Sequence, residues 1–319
     1  TKLNNYFQIV MLLRNLINPK PYIIVFFIMI WCLIMFAPLA YSSFESVFKH
    51  EWLSPFFICI LSLLLPAFHA IGLNNLVCEK NIIKKNNLIT GFVYLFFCVP
   101  FYNCINEWFV SFFLLFYLKY LFDCYQKDDP FRQIFNSGLI IGLLTLLYPN
   151  VFVFSFMIIV TCLNFGNISL RIILSYLIGM LVPMIFFICY LIMFGYDFPP
   201  YKINFSYDLK LPVLNKHELL KIFWISIVFL ICLLSIYELY KWLYKKSLQS
   251  RKSFIIIFFY LTLTFILFLE SFKFSYFIIA PLSIIVGNYF TYTKKRPLAN
   301  ILFFMFLVTS IFYRVSIVF

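Results

Sequence analysis

The sequence predicts an all-α protein, a polytopic bundle of about eleven transmembrane helices with its N-terminus in the cytoplasm. Three observations predict it. The composition leaves too little charge to coat a soluble core; the apolar residues come in runs of membrane-spanning length; and the connections between runs alternate between strongly and weakly basic. Of the 319 residues, 64% are hydrophobic and only 12% charged, with a mean hydropathy of +0.97. An ordinary soluble domain is about 45–50% apolar and about 25% charged, so the surface here must meet lipid.

A span needs about 20 mostly apolar residues, and in hydrocarbon every backbone N–H and C=O must be satisfied within the segment, so such runs must be helices. They fall at 22–41, 56–76, 88–104, 107–122, 137–149, 151–165, 170–194, 219–243, 254–270, 274–292 and 298–317. The first run, Tyr22 to Ala40, exceeds a signal-peptide core and no A-x-A site follows it, so it stays as a span. The segment 137–165 reads as a tight hairpin of two short spans, because Tyr148-Pro149-Asn150 at its middle is a turn signal. Merging the two would invert everything downstream. The chain opens on Thr1, and Met11 looks like a natural start, so residues 11–319 are expected to form a single integral membrane domain with 1–10 upstream of it.

The connections on one side carry 16 Lys and Arg, from Arg14 and Lys20 through Lys80, Lys84, Lys85, Lys127, Arg132 and Arg171 to the groups at 241–252 and 294–296. The other side carries 7: Lys49, Lys202, Lys210, Lys216, Lys221, Lys273 and Arg314. The positive-inside rule puts the richer side, and the N-terminus, in the cytoplasm of an inner membrane. Lys119 lies within a span and snorkels toward that face.

Several function classes are excluded. The formal charge of +13 sits in short separate loops and not on one face, which argues against nucleic acid. The nine Cys are scattered through apolar runs without C-x-x-C or zinc spacing. The 45 Phe and 22 Tyr rise together with Ile, Asn and Lys, as AT-rich codons dictate, and need no aromatic cofactor. No phosphate-binding glycine loop, H-E-x-x-H or G-x-S-x-G is present, and three His cannot build a histidine-rich iron centre. No cofactor is called for.

Candidate chemistry gathers in two outer loops, Ser42 to Pro55 and Gly195 to Glu218. Glu45 and Glu51, with Lys49 and His50, stand at the mouth of the first span, where a carboxylate can serve as general base. The plainer reading is a solvated loop anchored by Trp52. His50 from the first loop and Lys202 and Lys210 from the second are the candidate substrate-binding residues. Glu107, Glu238 and Glu270 read as interfacial, and His69 as an imidazole bonded to a neighbouring helix. The basic stretches 80–87 and 123–132 attract anionic headgroups.

The stretch Asn74-Asn75-Leu-Val-Cys-Glu-Lys-Asn-Ile-Ile-Lys-Lys-Asn-Asn-Leu, with Asn18-Pro-Lys-Pro and Phe135-Asn-Ser-Gly-Leu-Ile-Ile-Gly-Leu-Leu-Thr-Leu-Leu-Tyr-Pro, resembles a family of uncharacterised inner-membrane proteins of Bacteroidota. The likeness runs over most of the chain from Met11 and implies no established activity. The chain is also similar to the C superfamily of membrane glycosyltransferases. The features are an acidic residue in the first outer loop (Glu45 or Glu51), a second large outer loop after the seventh span, and a glycine-rich helix, Gly138 to Pro149, ending in a proline turn. That resemblance implies a polyprenyl-phosphate-linked sugar as substrate. It differs in its first outer loop, which at about a dozen residues is too short for the usual acceptor-site helices.

These features lead to a glycosyltransferase-like scaffold acting on an isoprenoid-linked or lipid substrate at the outer face, with Glu45 or Glu51 as base. One alternative is a non-enzymatic component of an envelope assembly, which predicts a bundle packed solid with Phe and Leu. Another is a transporter, which predicts repeated halves and midplane charge. Its partners are membrane lipids in any of these readings.

Overall fold

The computed structural model describes residues 13, 16, 17, 19, 21–36, 54–101, 104–195, 216–270 and 272–316. Among them the chain forms eleven α-helices and no strand. These are α1 (Pro21–Phe36), α2 (Pro55–Glu79), α3 (Ile89–Cys98), α4 (Ile105–Phe122), α5 (Phe131–Leu147), α6 (Phe156–Phe165), α7 (Leu170–Phe194), α8 (Lys216–Trp242), α9 (Leu248–Glu270), α10 (Ile279–Tyr292) and α11 (Arg296–Ser316). Short 3₁₀ segments, Pro149–Ser155, Leu243–Lys245 and Phe272–Ile278, lead into α6, follow α8 and lead into α10.

Seven segments are long and apolar enough to cross a membrane: Pro55–Glu79, Ile105–Phe122, Leu170–Phe194, Lys221–Lys245, Leu248–Leu269, Ser275–Tyr292 and Arg296–Arg314. Tyr22–Phe36, Ile89–Cys98, Phe131–Leu147 and Pro149–Phe165 are shorter. Every expected span thus has a helix, but the third is cut to ten residues, about 15 Å. Pro100 supplies no N–H to prolong it.

The described residues divide into two compact units. The first draws on Thr1–Trp108, Leu209–Lys246 and Ile279–Phe319. At its centre stands α3, all ten of whose residues are buried, packed against α2, α10 and α11. Asn87 starts this helix: its Oδ1 accepts the N–H groups of Ile89 (3.1 Å) and Thr90 (3.5 Å) that no helical carbonyl can reach. Small residues let the neighbours close in. A β-carbon on Gly91 would lie 3.1 Å from the Ala70 carbonyl oxygen, and one on Gly287 would lie 2.7 Å from Thr90 Oγ1. Rings fill the rest, with Phe92 edge-on to Phe27 at 4.5 Å and Phe306 beside Phe97 at 5.1 Å and Phe96 at 5.6 Å. Trp224 of α8 donates its indole N–H to Ser310 Oγ of α11 at 3.0 Å.

The second unit draws on Phe109–Asp208 and Ser247–Ile278. Its tightest joint is α5 on α7. A β-carbon on Gly138 would overlap the Tyr176 carbonyl oxygen, one on Gly142 that of Met180, and one on Gly179 that of Phe135. The spacing Gly138-Leu-Ile-Ile-Gly142 puts both glycines on one helical face, which lets the backbones meet. Beyond Leu147 the chain turns at an extended Tyr148, enters the 3₁₀ segment at Pro149 and comes back as α6. Asn167 Nδ2 donates to the carbonyls of Cys124 and Lys127, each at 2.9 Å, and so ties the end of α6 beside the start of α5. Residues 131–165 are therefore a hairpin, as the turn signal predicted. Its arms, 17 residues of α-helix and 7 plus 10 of 3₁₀ and α-helix, are about 25 and 29 Å long, near the roughly 30 Å of a bilayer's hydrocarbon. Phe154, at the 3₁₀ segment's end, packs on Tyr260 (5.2 Å) and Phe277 (6.2 Å), and its carbonyl accepts from Tyr117 Oη at 2.8 Å.

Within each unit the basic connections share one end. In the first, the loop after α2 meets the end of α10, where the Lys84 N–H donates to Tyr292 Oη at 2.9 Å. In the second, 124–127 meets Asn167, and Asn164 Nδ2 donates to the Lys252 carbonyl at 2.7 Å. The exterior between the ends is apolar: on α7, Phe186, Ile192 and Met193 are each more than 70% exposed. Such a surface is stable only against an apolar solvent.

Candidate functional site

Glu45, His50 and Glu51 of the first predicted outer loop and Lys202 and Lys210 of the second lie outside the described residues. Of the other ionisable groups singled out from sequence, Glu107 is half-buried in the first turn of α4, and Glu238 faces Thr293, Lys241 and Lys295. His69 is buried on α2 with its ring stacked on Tyr94 at 4.4 Å, a packing role.

At the end of the first unit remote from its basic loops, a cavity of about 410 Å³ is lined by Ile30, Leu33, Ile34 and Phe36 of α1 and by Ile311 and Arg314 of α11. α11 starts beside the basic loop 294–296, and Arg314 comes eighteen residues later, about 27 Å along the axis. The Arg314 side chain is 1% exposed, and its Nη1 reaches the carbonyl of Val99, the C-cap of α3, at 3.5 Å. A helix C-terminus carries partial negative charge, which favours a cation there. Leu33 and Phe36 are exposed, so the cavity opens onto the apolar exterior, and the chain leaves α1 directly into the segment that holds Glu45 and Glu51.

The second unit has a cavity of about 310 Å³ with an almost wholly apolar lining, between the Pro149 turn and the C-terminal half of α7. Its lining includes Thr145, Phe152, Met184 and Ile188. Pro183 interrupts the α7 hydrogen-bond ladder beside it.

The basic end of the first unit is organised around two rings. Lys85 and Lys246 place their ammonium groups 5.4 and 4.8 Å from the centroid of Tyr292, and Lys245 and Lys294 place theirs 4.3 and 4.6 Å from Trp242. Each such contact is worth about 0.5–1 kcal/mol at an exposed site. Lys246 also donates to Asn288 Oδ1 at 2.6 Å, and burial holds its ammonium below the ordinary value, at about 8. Among the described residues the ion pair is Lys80 with Glu79, at 2.7 Å. Sequence reasoning saw these lysines as loop charge and missed the rings. The available signal was an aromatic residue just before a Lys pair at two helix ends, Tyr244-Lys-Lys and Tyr292-Thr-Lys-Lys.

An all-helical chain with an apolar exterior and seven helices long and apolar enough to span has the make-up of a helical membrane protein. It belongs to a family of unknown function, DUF6427, which it matches over residues 11–319. No curated protein matches it, and no solved structure does.

Proposed function

We propose that the chain is a multi-pass inner-membrane protein that serves as a glycosyltransferase-like scaffold for an isoprenoid-linked or other lipid substrate at the outer face, its N-terminus being cytoplasmic. The observation that supports this is the cavity between α1 and α11. An apolar hollow open to lipid accepts a polyprenyl chain, and a buried guanidinium at its wall suits the phosphate. The segment after α1 supplies Glu45 or Glu51 as general base. The base takes the acceptor hydroxyl's proton as that oxygen attacks the anomeric carbon; the bond to the polyprenyl phosphate breaks, and the phosphate leaves as an anion. Arg314 offsets the charge that develops there.

The test replaces Glu45→Gln and Glu51→Gln together and compares glycan and lipid profiles of the cells with those of an Arg314→Lys strain. Accumulated lipid-linked sugar in both is the expected result. Profiles unchanged in the double variant, at normal protein level, dismiss the catalytic reading.

A second reading, a non-enzymatic component of an envelope assembly, is favoured by the close-packed rings of Phe96, Phe290, Phe303 and Phe306 in the first unit. Purification in mild detergent separates the two: reproducible stoichiometric partner proteins support the assembly reading, and an isolated chain argues against it.

A further inference from the structure

We infer that the ring-organised lysine cluster at the basic end of the first unit binds the phosphate of an anionic lipid headgroup. Two pairs of ammonium groups are drawn together here on two aromatic rings: Lys85 and Lys246 on Tyr292, Lys245 and Lys294 on Trp242. Mutual repulsion would spread freely solvated lysines apart, whereas each of these pairs converges on a ring. The pairs are one cluster, because Lys245 and Lys246 are chain neighbours and Lys294 lies two residues beyond Tyr292.

The cluster is also built in. Lys84 fixes the Tyr292 hydroxyl through its backbone N–H at 2.9 Å, and Lys246 is held on Asn288 at 2.6 Å. Glu238 faces Lys241 and Lys295, so positive charge dominates around the two rings. Neither ring nor amide offers an anion, and several ammonium groups on a fixed framework suit a doubly charged phosphate better than the single charge of a zwitterionic head's phosphodiester. The position fits a lipid ligand: α8 and α10 both end here after long apolar stretches, at the level where headgroups lie. The cluster is at the opposite end of the unit from the Arg314 cavity, so this site is independent of the function proposed above.

The experiment uses the full chain in mild detergent and native mass spectrometry with added dioleoyl phosphatidic acid, dioleoyl phosphatidylcholine or inorganic phosphate. Phosphatidic acid should be retained in preference to phosphatidylcholine. Lys85→Gln, Lys245→Gln and Lys294→Gln should each weaken its retention about fivefold, the value of roughly 1 kcal/mol per headgroup-facing lysine. These three side chains are exposed, so the variants should fold. Tyr292→Phe keeps a ring for the ammonium groups and should bind, whereas Tyr292→Leu should not. The inference fails if the two lipids are retained equally, if Lys127→Gln in the second unit weakens binding as much, or if inorganic phosphate displaces the lipid at equal concentration.

Discussion

Lys246 donates to the side-chain oxygen of Asn288 across 2.6 Å, which places a charged amine against a neutral amide in a half-buried setting. A neutral amide brings no charge to offset the ammonium's, so much of the cost of removing that charge from water stands. The consequence is a pH dependence. The folded chain holds this proton less tightly, at about 8, than the ordinary 10.5 of a lysine in the unfolded chain. The folded state is therefore penalised in full below pH 8, and the penalty fades as pH climbs from 8 toward 10.5. Thermal unfolding in detergent should show stability gained across that interval by the wild-type chain, and a smaller gain in Lys246→Met. Parallel curves would show that the amine is not constrained by its surroundings.

The joint of α5 on α7 predicts two different costs for glycine substitution. Gly142→Ala forces a methyl group into the Met180 carbonyl and should destabilise by about 1–3 kcal/mol, with Gly138→Ala and Gly179→Ala similar. Gly166 ends α6 at φ +81° with nothing within 4 Å of an added β-carbon, so Gly166→Ala meets only backbone strain, about 1 kcal/mol. Denaturant titration of the four variants checks the ranking. An unaffected Gly142→Ala would mean the two helices are not in contact.

Thiol reactivity offers a third check. Burial pushes the Cys124 thiol up to about 12, helped by Cys162 and Asp123, and burial and then Glu107 push Cys104 to about 11. At pH 7.5 both should resist a water-soluble maleimide in the folded protein and react once it is denatured. Cys189 is exposed on α7, within the apolar exterior, and should take a lipid-soluble maleimide selectively.

The orientation proposed for the chain predicts that reporters fused after Lys246 and after Lys210 occupy opposite compartments. Paired alkaline phosphatase and fluorescent-protein fusions measure this, and the same readout at both sites would overturn the topology.

The helices were largely readable from the sequence because a run of apolar residues without water has one way to satisfy its backbone. What faces what was not readable. Phe96 is buried against Phe303 while Phe186 points outward, yet both sit in equally apolar runs, since lipid and protein interior make the same demand of a side chain. The hairpin at Pro149 announced itself through its turn residues, and Gly138 and Gly142 through their spacing, but the partner Gly179 on α7 required the fold. Trp242 and Tyr292 lie about fifty residues apart, and nothing local tells that their lysines converge.

Because α3 is only ten residues long, about 15 Å against the roughly 30 Å of hydrocarbon, it gains little by entering the bilayer alone. Beside what α1 and α2 supply, its contacts come from Gly287 on α10 and Phe306 on α11, made roughly 200 residues later in synthesis. During biogenesis it must be sheltered, by the insertion machinery or by α1 and α2, until those last helices are made. Truncation before α10 should therefore harm the N-terminal third of the chain, which makes the C-terminal helices a checkpoint on assembly of the whole.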